Sequence, residues 1–215
     1  MKFLGIWVDD SMSFKDHINK LKCKLNSGVY ALSTCSKLVS VKVRKLVYRS
    51  LIESHIRFAS IIYGSYNPSM LSDLRIIQRK AVRIVARARF NAHTDALFKE
   101  FNFLKIYDII SLNQTLFARQ YKNKQLPKSF QNFFQDLPLP EQIYRDQDYN
   151  LKPKTVNKAF LSFYPSVQLI RAWNRDNLIL KSEAHLEYLK LDLIAHKVKT
   201  YESDCLITNC YICNY

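Results

Sequence analysis

Residues 70–90 read MLSDLRIIQRKAVRIVARARF, and the fold class turns on this stretch. Leu74, Ile77, Ala81, Ile84 and Ala88 recur at steps of three and four, which puts them on one face of a helix. Arg75, Arg79, Arg83 and Arg87 recur at steps of four and form a basic ridge beside that face, widened by Lys80 and Arg89. Asp73 is the one acid between Leu71 and Phe90. It suits the positive end of the helix, with Ser72 as the N-cap. One face wants a core and the other an anion. The basic side is either a solvated surface or a ridge for nucleic-acid phosphates. A step of four drifts by about 40° against a period of 3.6, so the four arginines cannot all meet one duplex. Arg79, Lys80 and Arg83 are the best placed, and loss of binding should track Arg79 and Arg83.

Outward from this helix, the chain has 215 residues, enough for one large or two small domains. A 48% hydrophobic content gives it a core to bury, and only 3 Gly and 6 Pro argue against a loop-rich sandwich. Lys and Arg outnumber Asp and Glu by 33 to 18, a formal charge of +15 that favours RNA, DNA or another acidic partner. No apolar run reaches the roughly 18 residues of a membrane span, and the opening MKFLGIWVDD is too short and too acidic for a signal peptide. Five scattered Cys do not form a secreted disulfide framework, so an intracellular, reducing setting is expected.

Upstream lie two further helical patterns. Ser13 and Asp16 form a variant capping box for a helix from about Phe14 to Thr34, with Ile18, Leu21, Leu25, Val29 and Leu32 inward. Lys15, Lys20, Lys22 and Lys24 load its outer faces. A second helix spans about Val41 to Tyr63, with Val43, Leu46, Val47, Leu51, Ile52 and Phe58 apolar, and stops at Gly64. Lys2 to Val8, KFLGIWV, reads as one strand in need of a partner, which implies missing sheet upstream. Trp7-Val8-Asp9-Asp10 imitates the aromatic-x-Asp-Asp of a polymerase metal site. Such a site needs a further carboxylate from an earlier strand. Asp9 and Asp10 are therefore better read as a turn into the helix. His17 and His93 are read as structural.

Phe3-Leu4-Gly5-Ile6, Asp9, Met12-Ser13-Phe14 and His17-Ile18 resemble the segment after the catalytic motif in reverse transcriptases of non-LTR, LINE-type retrotransposons of the jockey-like group. Ile62-Tyr63-Gly64 stands where that family has an apolar-aromatic-Gly step. Leu74 and Ile77 to Val85 are similar to its next helix. His93-Thr94-Asp95, Leu104 to Ile109, Leu126-Pro127, Tyr149-Asn150 and Ala172-Trp173-Asn174 follow in order. No single piece is specific; the ordered set is. Arg175-Asp176-Asn177 departs from the family's Leu-Pro. The resemblance implies a primer-grip-like role for Phe3, Leu4 and Gly5 at a palm–thumb junction, and a thumb that holds template–primer RNA and DNA. It also implies that the fingers, palm and catalytic carboxylates precede this chain. The parent polymerase would use divalent metal (Mg). This chain would need no cofactor of its own and would be inactive alone.

Four regions are expected: a remnant palm-edge strand and turn (1–12), a helical thumb-like domain (13–125), a Pro- and aromatic-rich linker (126–165) and a small helical tail (166–215). Within them, Thr94 caps a helix to Phe101, Ile106 to Tyr121 forms another, Ser166 begins a further one, and Ser182 caps the last, with Leu186, Leu189, Leu193 and Ile194 inward. The whole is mainly α, with one short N-terminal strand and a partly irregular C-terminal extension. The binding residues expected are Lys20, Lys24, Arg75, Arg79, Lys80, Arg83 and Arg87. His196, Cys205, Cys210 and Cys213 are a weak zinc candidate, because their spacing fits no standard knuckle. Two other readings are a stand-alone basic nucleic-acid-binding module and a protein-interaction helix bundle whose charge serves solubility.

Overall fold

The computed structural model describes residues 1–64, 68–130, 167–169 and 186–201. Lys2 to Val8 is two strands, not one. The chain turns at Leu4 and Gly5, whose φ values are 45° and 88°. β1 (Lys2–Phe3) therefore pairs antiparallel with β2 (Ile6–Trp7), Lys2 opposite Trp7 and Phe3 opposite Ile6. Two positive φ values in a two-residue loop match the twist of a hairpin, and Gly adopts one without strain. The Val8 N–H donates to the Met1 carbonyl at 2.8 Å, and the Met1 ammonium to the Val8 carbonyl at 2.7 Å. The partner that the strand needed comes from its own other half.

The rest of the described chain is helical. α1 (Lys15–Ser36) begins after Phe14, which is buried and left-handed (φ 53°). No capping box forms: the Ser13 hydroxyl accepts from the Lys15 N–H at 3.4 Å and donates to Asp9. The five expected inward residues of α1 are all buried. The single helix expected from Val41 to Tyr63 is broken into α2 (Val41–Tyr48), a π-helical turn (Arg49–Glu53), α3 (Ser54–Arg57) and α4 (Ser60–Tyr63). Its buried side is Arg44, Tyr48, Ile52 and Ile56, while Val43, Leu46, Leu51 and Phe58 are exposed. The expected apolar face is thus largely turned outward, because Arg44 and Tyr48 have hydrogen-bonding partners inside.

α5 (Ser72–Ala86) follows a 3-10 turn at Pro68–Leu71, so Ser72 is its first residue rather than its cap. It runs parallel to α1, with Lys22 paired to Asp73 near one end and the Arg87 guanidinium on the Ser36 carbonyl at the other. α2 runs antiparallel to α5, with the Arg44 Nε on the Val85 carbonyl at 2.8 Å. The buried residues of α5 are Leu74, Gln78, Ala81, Val82 and Val85; Ile77 and Ile84 sit at the edge of the core, and Ala88 lies past the helix end. The stripe is shifted because Gln78 is fully buried with its amide satisfied. Its Nε2 donates to the Tyr48 hydroxyl (3.0 Å) and the Leu104 carbonyl (2.9 Å), and its Oε1 accepts from the Ile106 N–H (2.9 Å).

α6 (Asp95–Phe101) and α7 (Ile106–Lys122) fall close to where they were expected. α8 (Leu186–Lys199) places Leu193 and Val198 in the same core, with Ile194 against it. Just beyond it, the Tyr201 hydroxyl donates to Asp108 at 2.5 Å and accepts from the Lys105 N–H at 3.0 Å. Of the helix expected from Ser166, residues 167–169 are helical. Most of the expected linker, Tyr149-Asn150, Trp173, Ser182 and Cys205 to Cys213 lie outside the described residues. No helix among the described residues is long and apolar enough to cross a membrane.

Gly64 ends α4 with an ordinary φ, so its role is space. A Cβ there would lie 2.7 Å from Ile110 Cγ2 on α7. Gly64→Ala should therefore destabilise the fold by about 1–3 kcal/mol, read as a lower urea midpoint.

Candidate nucleic-acid interface

The seven expected binding residues do not form one ridge. Lys22 reaches Asp73 at the start of α5. Lys20 and Lys24 each lie two residues from Lys22, so they project about 160° away from it around α1. They face the hairpin instead of α5. On α5, Arg75 and Lys80 are exposed to solvent. Arg79 faces Asp95, which it approaches at 4.0 Å and shares with Lys105 at 2.8 Å. The Arg83 Nε donates to the Ala92 carbonyl at 2.8 Å, and burial, then the neighbouring Arg79 charge, lower its pKa.

Arg87 ends α5 in a left-handed conformation (φ 55°) and donates to the carbonyls of Ser36 (2.7 Å) and Lys37 (3.1 Å). Arg44 joins it there, its Nη1 donating to the Val39 carbonyl at 2.9 Å. The Ser36 carbonyl is one of those that the last turn of α1 leaves without a helical partner, and the others lie in the segment just after it. Arg83 and Arg87 thus hold the fold together, and removing them tests stability as much as binding. The four-residue period could not reveal this, since the carbonyl that Arg83 binds lies in the loop after α5 and the Ser36 carbonyl that Arg87 binds is 51 residues away.

Lys20 and Lys24 line a cleft of about 290 Å³ between the hairpin, α1 and the end of α3. Lys2 adds a third cation, and Trp7 and Phe58 supply aromatic surface. The Lys20 ammonium sits 5.5 Å from the Trp7 ring centroid. Gly5 lets the hairpin turn come close to Phe58: a Cβ at Gly5 would stand 3.3 Å from the Phe58 ring. His17 and His55 complete the polar lining. Trp7, Phe58 and His55 were not expected as binding residues from sequence, because the contacts that unite them with Lys20 are tertiary. Of the primer-grip-like residues, Gly5 lines the cleft, while Phe3 and Leu4 are exposed.

His17 is buried, and its Nδ1 accepts from the Trp7 N–H at 3.5 Å, tying α1 to the hairpin. That bond needs an unprotonated Nδ1. Burial, then the Lys24 charge, hold the imidazole below its ordinary 6.5. Below about pH 6.5 the unfolded chain takes up a proton that folded His17 resists, so stability should fall as the pH drops through that window. Urea midpoints at pH 7.5 and 5.5 should differ for the native chain and differ less for His17→Asn.

The Asp9 carboxylate is directed onto its own turn. Oδ1 accepts from the Ser13 N–H (2.5 Å) and the Ser11 hydroxyl (3.2 Å), and Oδ2 from the Ser13 hydroxyl (2.5 Å). Burial alone would raise its pKa, but these Ser13 and Ser11 hydrogen bonds outweigh that and lower it. Its oxygens are occupied by donors, a poor fit to a divalent metal. Among the described residues no group of three or more His, Cys, Asp or Glu could hold an ion. His196, on α8, is exposed.

Among known proteins, no family model matches the chain and no solved structure matches it. It is similar to the probable RNA-directed DNA polymerase from transposon X-element of Drosophila melanogaster, 22% identical over 114 residues. The matched region is 51% of this chain and 12% of that polymerase, so the chain corresponds to a small part of its length. This distant similarity supports a polymerase-related origin for the chain.

Proposed function

We propose that this chain is the nucleic-acid-holding C-terminal part of a non-LTR retrotransposon reverse transcriptase. It binds the template–primer duplex as a thumb does, while phosphoryl transfer belongs to a palm outside this chain. The observation that carries the reading is the cleft in which Lys2, Lys20 and Lys24 converge beside the hairpin of Phe3-Leu4-Gly5. The charge of +15 and the distant likeness to a transposon polymerase support it. Contacts to the sugar-phosphate backbone need cations in register but no sequence code.

The test is duplex binding across a salt series, followed by fluorescence anisotropy. Engagement of Lys2, Lys20 and Lys24 with phosphates predicts a log–log salt slope of about −3 and little sequence preference. Absence of binding, or binding indifferent to salt, would sink the reading. In primer extension the chain alone should incorporate no nucleotide. Incorporation lost on changing Asp9 and Asp10 would place catalysis in this chain after all. The protein-interaction reading has its own support in Leu38 and Leu46, 87% and 66% exposed. It predicts partner binding without the salt slope.

A further inference from the structure

The break between α3 and α4 is a strained feature of the backbone. Phe58 leaves the helix with extended backbone (ψ 122°), and Ala59 follows in the left-handed region (φ 54°), which is strained for a residue with a Cβ. The carbonyls freed by the break are nevertheless provided for. The Tyr63 hydroxyl donates to the Ile56 carbonyl. Asn113 Nδ2 donates to the Ser60 hydroxyl at 2.7 Å and reaches the Arg57 carbonyl at 3.4 Å. The break is therefore built in, and its product is Phe58, half in solvent at 52% exposure, on the wall of the cleft. An unbroken helix would carry the chain past this point without presenting the ring there.

Trp7, likewise only partly buried, lines the same cleft with the Lys20 ammonium over its ring. Aromatic surface flanked by ammonium groups is the chemistry that holds an unpaired nucleotide. The base stacks on a ring, and the phosphates meet the cations. A volume of about 290 Å³ has room for one nucleotide inside, while a duplex would meet only the cations at the rim.

We propose that this cleft takes a single unpaired nucleotide of a bound strand, stacked against Phe58 and Trp7 with its phosphates at Lys20 and Lys24. This rests on, and deepens, the reading of the chain as a template–primer binder. The site prefers a duplex with a single-stranded extension to a blunt one.

The experiment compares the full chain's affinity for a blunt RNA–DNA duplex, the same duplex with a two-nucleotide overhang, and the overhang with abasic positions. The overhang should tighten binding about fivefold to a hundredfold, the range of one base stacked on an aromatic ring. The abasic overhang should lose that gain, as should Phe58→Ala, while Phe58→Tyr keeps it. In a Trp173→Phe background, Trp7 fluorescence should be quenched by the overhang alone.

Equal, measurable binding of all three duplexes overturns the inference and leaves the duplex reading intact. Quenching of Trp7 by a short single strand, with no duplex binding of any kind, supports the cleft and removes the duplex reading. No binding of either sort removes both. Competition by free adenosine monophosphate at strand-like concentrations would also overturn it, since the site would then belong to a free nucleotide. The abasic probe leaves the protein untouched, so the comparison survives even if a variant folds poorly.

Discussion

Gln78→Ala should lower the unfolding free energy by about 3–5 kcal/mol. The side chain is completely buried and makes three hydrogen bonds, to the Tyr48 hydroxyl, the Leu104 carbonyl and the Ile106 N–H. Truncation leaves three buried polar groups without the partner that this amide supplies, each costing about 1–3 kcal/mol, and adds a small cavity. Tyr48→Phe removes one of those bonds and should cost about 1 kcal/mol, so the pair forms an internal calibration. Gln78→Glu should also destabilise, because a carboxylate cannot donate to Leu104 and would be charged in the core. Urea unfolding followed by circular dichroism reads all three. A loss below about 1 kcal/mol for Gln78→Ala would mean that water or rearrangement replaces the amide.

Lys20→Ala combined with Lys24→Ala should weaken duplex binding about tenfold to a hundredfold near 0.1 M salt. It should also flatten the salt slope by about two. Both lysines are exposed, so the fold should be unaffected. Arg79→Ala and Arg83→Ala form the contrasting pair. Arg79 faces Asp95, and Arg83 holds the Ala92 carbonyl. Their loss should move the urea midpoint more than the affinity of whatever remains folded. If that pair instead abolishes binding at unchanged stability, while the lysine pair does nothing, the phosphates lie along α5 as the arginine period first implied. The cleft would then have no part in binding. Anisotropy at several salt concentrations, beside a denaturation curve for each variant, separates the two outcomes.

Local pattern carried a long way. The inward residues of α1 and the placing of α7 follow from apolar spacing, because an amphipathic helix must bury one stripe wherever it docks; the placing of α6 follows from the capping signal at Thr94. The same logic misplaced the face of the segment after Val41. There, Arg44 and Tyr48 are buried and Val43 and Leu46 exposed. Hydropathy assigns a polar group to water unless a partner is known, and the Val85 carbonyl that holds Arg44 and the Gln78 amide that holds Tyr48 are 41 and 30 residues away. Gln78 shifts the α5 stripe for the same reason. The hairpin was missed because a run of apolar residues outweighed the turn at Leu4 and Gly5.

The candidate site was legible as a list of cations and, through the family resemblance, Gly5. Sequence by itself determined a mainly helical, strongly basic chain and the approximate positions of α1, α5, α6 and α7, since periodicity, capping signals and charge are properties of the chain alone. Tertiary structure decided which cations are committed to the fold and which face solvent. It set Arg83, Arg44 and Arg87 on backbone carbonyls, and brought Trp7, Lys20 and Phe58 to one cleft. Those outcomes rest on hydrogen bonds and contacts between different segments of the fold, to which no local period is sensitive.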